Sequence, residues 1–254
     1  MRLKTIGTAI VMAAIVGGLS AIGSARAEGP ATAVLPQGKQ AIEKIVRDYI
    51  RDNPEIVIQA IELWRAKQRA SASDRARAAV ASSRAALFDD PDAPKAGNLK
   101  GDVTIVEFFD YRCPYCKRSM PGFMKMVKED GNVRIVFKEF PILGPVSRIA
   151  AQAALASRKQ GKYFVFHKAL MAAKVALTER VIYTIAASVG LDVARLKKDM
   201  QAPAIKRSLA RNFELANKLG IRGTPAFVVG KELIPGAIDA AGLKRLVAKA
   251  RKKS

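Results

Sequence analysis

Two cysteines sit three apart at Cys113-Pro114-Tyr115-Cys116, and the chain has no others. Positions i and i+3 of a helix share a face, which brings the two sulfurs within disulfide reach. The tetrapeptide follows Val103-Thr104-Ile105-Val106-Glu107-Phe108-Phe109 and opens a segment with Met120, Met124 and Val127 at or near helical spacing. Cys113 would then stand at a helix N-terminus, where unpaired N–H groups and the dipole favour a thiolate. Pro114 suits the first helical position because its missing N–H has no helical partner there. Arg112, Lys117 and Arg118 add positive charge and are expected to lower the Cys113 pKa further. A low-pKa thiol is a ready attacker and a good leaving group, so Cys113 is expected to be the nucleophile. Cys116, deeper along the helix, would be the resolving thiol that closes the disulfide and releases a mixed-disulfide partner.

Other uses of a C-x-x-C pair fit less well. Half a zinc site needs two more ligands, and His167 is the sole histidine. A purely structural disulfide closing so short a loop removes little chain entropy. His167 reads as a packing or capping residue, and Trp64 as core or interface. Glu107 lies in an otherwise apolar run, so desolvation should raise its pKa.

The elements that must position the pair are legible in outline. Val103–Phe109 is β-branched and aromatic with little alternation, as in a buried strand. Val133 to Glu139 predicts a second strand of the same kind. Residues 145–219 predict helices, with breaks at Gly161, Gly190 and Pro203. Ala226–Val229 and Glu232–Ile234 predict two strands joined as a hairpin by Gly230-Lys231. A last helix is expected from about Asp239 to Ala250. Pro121 should kink the helix that follows the cysteines.

Upstream, Lys39 to Asp52 predicts a helix with Ile42, Ile45, Val46, Tyr49 and Ile50 on one face. At Asn53-Pro54-Glu55 a second helix should start, with Asn53 as its cap. It continues through an Ala/Arg/Ser stretch to about Leu87, too poor in large apolar residues to form a core alone. This arm, 39–87, is expected either to dock on its own domain or to oligomerise. Residues 28–38 predict a flexible leader, and 88–254 the main domain after a linker-like break at 89–94. Residues 1–27 carry a positive start, an apolar run and Ala25-Arg26-Ala27, the pattern of a cleaved secretory signal. Without them the formal charge falls from +22 to +19. Half the 254 residues are hydrophobic, which excludes a disordered chain. Two cysteines exclude a disulfide-rich scaffold. The basic residues are interspersed with acids and the aromatics lie in expected strands, which argues against nucleic acid as partner. The basic cluster Lys244, Arg245, Lys249, Arg251, Lys252 and Lys253 is expected to be a solvated tail.

Phe108 to Lys117 resembles the active-site segment of bacterial DsbA-type thioredoxin-fold oxidoreductases, and Gly223-Thr224-Pro225-Ala226 resembles that superfamily's cis-proline loop. The two motifs occur in the family's order, with a helical stretch between them. The resemblance implies an α/β thioredoxin fold with an inserted helical domain at about 145–219. It implies that Pro225 is cis and faces the cysteines, leaving the Thr224 backbone to pair with an extended substrate strand. Pro114 and Tyr115 would contact substrate too, and Glu107 would transfer protons near Cys116. The Pro-Tyr dipeptide and the threonine before Pro225 resemble disulfide isomerases and reductases more than the monomeric oxidase. Asp52-Asn53-Pro54-Glu55 and its helices resemble the oligomerising arm of suppressor-of-copper-sensitivity C and Com1-like proteins. Linked active sites raise effective concentration, which suits an isomerase.

The expectation is thus a periplasmic thiol-disulfide oxidoreductase, isomerase-leaning and homo-oligomeric, with no cofactor or metal. Its partners would be exported cysteine-containing proteins and a membrane redox partner. The alternatives are a DsbA-like dithiol oxidase and a copper-binding protein using the same pair, since Cu(I) favours thiolates.

Overall fold

The computed structural model describes residues 34–252, with side chains from residue 38 onward. The expected signal segment 1–27 and the expected leader up to Ala33 lie outside the described residues. The chain falls into two compact units, the first ending at Glu62 and the second beginning at Leu63.

The first unit holds α1 (Val34–Asp52) and the opening turns of α2 (Glu55–Ser82). Helix α1 begins five residues before Lys39, so the end of the expected leader is helical. Pro36 is tolerated because a first-turn N–H has no helical acceptor. Asn53, expected to cap α2, serves α1 instead. Its backbone N–H and its side-chain Nδ2 both donate to the Tyr49 carbonyl at 2.9 Å. Ile42, Ile45, Val46, Tyr49 and Ile50 form an exposed stripe, with Ile45 68% exposed.

In the second unit, α2 turns small residues inward. Ser73, Ala76 and Ala79 are half-buried and Val80 is buried. The helix stops at Ser83, and α3 (Arg84–Phe88) inserts Leu87 and Phe88 beside Val106, Phe108 and Val136 of the sheet. The stretch is too poor in apolar bulk to form a core alone, but alanine lets a helix approach closely, and each fully buried Leu or Phe contributes about 1.5–3 kcal/mol.

The sheet has five strands in the order β1-β3-β2-β4-β5. β1 (Lys95–Gly97) was not foreseen, being three residues long and antiparallel to β3 (Val133–Glu139). β2 (Val103–Phe109) is central, parallel to β3 and antiparallel to β4 (Ala226–Val229). β5 (Glu232–Pro235) completes the expected hairpin. Between β2 and β3 runs α4 (Pro114–Asp130), which continues as one helix through Pro121. It ends where Gly131 takes φ 71° and its N–H bonds the Val127 carbonyl at 3.1 Å, a conformation glycine adopts without a Cβ penalty.

The inserted helices are α5 (Pro145–Ser157), α6 (Tyr163–Ala172), α7 (Glu179–Ser188), α8 (Val193–Met200) and α9 (Pro203–Leu219). A break between α6 and α7 joins the three expected ones. Alternation along β2 sends Ile105 and Phe109 to the core shared with α4 to α8. Val106 and Phe108 point to the core shared with α3 and the end of α9. By the same alternation Glu107 faces α4.

The final helix, α10 (Ala240–Arg251), is not a solvated tail along its whole length. Arg251 pairs with Asp102 at 2.8 Å and Asp130 at 2.6 Å, and Lys249 pairs with Glu232 at 2.9 Å. No helix among the described residues is long and apolar enough to cross a membrane.

Candidate functional site

The site forms where β2 ends. A buried strand cannot turn into a helix without partners for the freed backbone groups, and Asp110 supplies them. Its carboxylate accepts the Arg112 N–H at 2.7 Å and, with the other oxygen, the Leu143 N–H at 2.9 Å. Asp110 thus ties the loop before the cysteines to the loop after β3. Tyr111 is buried beneath, and Cys113 follows in an extended conformation as the N-cap of α4.

The register of β2 and β4 pairs Phe108 with Ala226, which carries the preceding Thr224-Pro225 loop to the C-terminal end of β2. The Thr224-Pro225 peptide is cis. The Cys113 thiol donates to the Thr224 carbonyl at 3.1 Å, and the Cys116 backbone N–H reaches the Cys113 sulfur at 3.5 Å. Pro225 is buried and Thr224 half-buried, whereas Pro114 and Tyr115 are exposed. The guanidinium of Arg118 stacks 4.4 Å from the Tyr115 ring centre. Both cysteines are free thiols.

The two thiols differ sharply. Cys113 is held down at about 5, first by the hydrogen bond from the Cys116 thiol, then against a burial penalty by the Thr224 side chain and the Cys116 and Tyr115 N–H groups. Cys116, fully buried, is pushed far above the ordinary thiol range by its bond to Cys113 and by desolvation, with Glu107 adding to both. The three basic neighbours do not act as expected. Arg112 donates to the Leu143 carbonyl, Lys117 to the Ala173 carbonyl at 2.7 Å, and Arg118 lies on Tyr115. The Cys113 acidity comes from hydrogen bonds at its own helix start and from Thr224.

Glu107 is buried, and desolvation followed by the Cys113 charge raises its carboxyl to about 8. It therefore holds its proton at neutral pH and senses both sulfurs. The structure thus brings together Cys113, Cys116, Glu107, Thr224 and Pro225, with Pro114 and Tyr115 on the open side.

A second buried acid was not foreseen. Glu139, at the end of β3, accepts the hydroxyls of Tyr111 and Tyr163 on one oxygen, both at 2.9 Å. The Tyr111 hydroxyl also lies 3.0 Å from Nδ1 of His167. Burial pushes Glu139 well above the carboxylate range and lowers His167 to about 3. His167 is packed among Phe109, Phe137, Tyr163 and Phe164, with the Phe137 ring centre 4.5 Å away. Its expected packing role matches that setting. A charged residue closing an apolar strand, as in Phe137-Lys138-Glu139, was the sequence signal for Glu139. Among the described residues no cluster of three or more His, Cys, Asp or Glu could hold a metal ion.

The sequence profile of the DSBA-like thioredoxin domain matches residues 104–248, and that of the copper resistance protein ScsC N-terminal domain matches residues 39–71. A thioredoxin-like oxidoreductase from Silicibacter pomeroyi DSS-3 is 50% identical, with a TM-score of 0.66 over 67% of this chain and 99% of that one. Proteus mirabilis ScsC in a transitional conformation is 32% identical, with a TM-score of 0.64 over 86% of this chain and 99% of that one. A curated relative, the Na(+)/H(+) antiporter NhaA 3 of Salinispora tropica, is 28% identical over 175 residues, 66% of this chain. The match covers 27% of the antiporter, so the chain spans about a quarter of that relative.

Proposed function

Because this chain belongs to the DSBA-like thioredoxin-domain family of thiol-disulfide oxidoreductases, we propose that it acts in the periplasm as an isomerase or reductase of exported proteins. The observation that carries this reading is the split between the two thiols: Cys113 near 5 beside the cis-proline loop, Cys116 buried and far higher.

In the proposed cycle the Cys113 thiolate attacks a substrate disulfide. One S–S bond forms, the substrate S–S bond breaks, and the departing substrate thiolate takes a proton from water. In isomerisation another substrate thiolate then attacks the substrate sulfur of the mixed disulfide and expels Cys113, with no net change of electrons. In reduction the mixed disulfide first removes the Cys113 charge that helps Glu107 keep its proton; Glu107 then releases it to water, takes the Cys116 proton, and Cys116 attacks the Cys113 sulfur. The mixed disulfide breaks, the Cys113–Cys116 disulfide forms, and the substrate leaves with two more electrons. A carboxyl titrating near 8 can pass that proton both ways close to neutral pH. Pro114, Tyr115, Thr224 and Pro225 border the attacking sulfur and would seat the substrate strand.

The lean toward isomerase rests on the Pro-Tyr dipeptide, on Thr224, and on the exposed apolar stripe of α1, a surface suited to helix packing between copies. The copper reading lacks support in the segment whose profile bears that description, since residues 39–71 contain no Cys, His or Met. Recovery of activity from a scrambled disulfide protein tests the reading. The purified chain should restore it, and Cys113→Ala should abolish the effect; full activity in that variant would refute the assignment. Trapping of free thiols in cells tests direction. A mostly reduced Cys113–Cys116 pair is expected, and a mostly oxidised pair would make the protein an oxidase.

A further inference from the structure

A groove of about 890 Å³ runs beside the attacking cysteine, between the second half of α2 and the segment Asn217–Thr224 with β5. We propose that it binds an extended, acidic stretch of the substrate polypeptide. The inference rests on the thiol-disulfide reading of the site and adds the chemical class of the substrate.

Three observations converge. Thr224 lines the groove, and its carbonyl is the atom 3.1 Å from the Cys113 sulfur. A chain lying in the groove therefore ends against the residue that contacts the nucleophile. The walls are apolar and small, with Ala76 and Ala79 of α2 opposite Leu219, Ile221 and Leu233. The rim is cationic: Arg69, Lys218 and Arg222 have no ion-pair partner among the described residues, and Arg75 is held only by the Ser71 hydroxyl. The one acid lining the groove, Glu232, is already matched by Arg77 at 3.3 Å and Lys249 at 2.9 Å. The uncompensated charge is thus positive.

The occupant follows from these features. A second copy of this chain, at +22, would bring like charge to the rim. Nucleic acid would find no aromatic side chain in the lining on which a base could stack. An extended polypeptide puts small apolar side chains against the alanines and acidic ones against the arginines. The α2 wall also gives the docked half of that helix a task, because it supplies two of the four free cations.

The test uses two peptides of one length, each with a single cysteine in mixed disulfide with a neutral thiol, one flanked by Asp and Glu and the other by Lys. The full chain should react about tenfold faster with the acidic peptide, the low end of what electrostatic steering supplies. In Arg69→Ser/Arg75→Ser/Lys218→Ser the acidic-to-basic ratio should fall to about twofold or below. A triple with the same charge change outside the groove, Lys125→Ser/Lys128→Ser/Lys206→Ser, should keep the wild-type ratio. If the groove triple does not fold, Lys218→Gln alone carries the test, with the ratio about halved. Equal rates for the two peptides, or the same loss of preference in both triples, would overturn the proposal. Hydroxyethyl disulfide, neutral and too small to occupy the groove, separates the two readings. No reaction with it in the wild type would refute the exchange chemistry itself, whereas reaction without peptide preference would refute only the groove.

Discussion

Substituting Cys116→Ala removes the first of the interactions that hold Cys113 acidic while leaving the backbone N–H at position 116 in place. The Cys113 thiol sits at about 5 against an ordinary value of 9, and the Cys116 thiol is its leading hydrogen-bond donor. A hydrogen bond to a charged acceptor contributes about 1.5–3 kcal/mol, and 1.36 kcal/mol is one pH unit, so the midpoint should climb by about one to two units. Ultraviolet absorbance of the thiolate, followed as pH is raised, measures the midpoint directly. The rate constant gives a second readout of opposite sense. A thiolate of higher pKa is intrinsically more nucleophilic, with a Brønsted slope of about 0.4–0.5. Above both midpoints the variant should therefore attack a small disulfide about 2.5 to 10 times faster than the wild type. It should also stop at the mixed disulfide, having no resolving thiol. A midpoint that stays at the wild-type value would show that the Cys116 thiol is not the donor. A higher midpoint with a slower attack would refute the assignment of Cys113 as a free, accessible nucleophile.

Other outcomes follow from the same geometry. Glu107 titrates above its unfolded value, so the folded chain loses stability as pH rises from about 4.5 through 8; Glu107→Gln should flatten that dependence in thermal unfolding and slow the resolving step, and an unchanged pH profile would refute the buried carboxyl. For Cys113 the sign is reversed: its contribution to the reduced chain is full above about 9 and is lost as pH falls through 5, so the reduced form should gain stability relative to the disulfide form from pH 5 to 9 in denaturant titrations. Asp90 and Lys138 form a pair at 2.6 Å with Lys138 almost wholly buried. Asp90→Ala should destabilise by about 3–5 kcal/mol, far more than replacing both partners with apolar residues. Removing residues up to Glu62 should give a monomer by light scattering that keeps dithiol exchange, whereas a cut at residue 86 should also lower stability by about 1.5–3 kcal/mol in denaturant titrations, by stripping Val80 from the core.

The chemistry was easier to read than its surroundings. Cys113, Cys116 and Glu107 lie within ten residues of one another, and a strand-to-helix transition brings them together from local sequence alone. Thr224-Pro225 needed a family resemblance, because a dipeptide more than a hundred residues away carries no local sign of its neighbour. β1 escaped notice because three residues show no period. The sequence left docking and oligomerisation of the arm both open, because the inward residues of α2 are mostly small, such as Ala76 and Ala79, and give a weak hydrophobic pattern. The Arg112, Lys117 and Arg118 argument failed for a different reason. Sequence proximity places charge near a sulfur, but long side chains take the nearest carbonyl or ring, and short-range hydrogen bonds at the helix start outweigh them. The Glu139, Tyr111, Tyr163 and His167 cluster draws on three separate segments, the loop after β2, the end of β3 and α6, so no short window of sequence contains it.

Arg251 fastens the last helix to Asp102, at the start of the central strand, and to Asp130, at the end of the catalytic helix. A chain synthesised from its N-terminus makes Cys113 and Cys116 long before it makes Arg251. Until the final dozen residues emerge, α4 has no α10 to pack against and its far end is unclamped. The nascent protein therefore carries its two thiols before the far end of the helix that bears them is held.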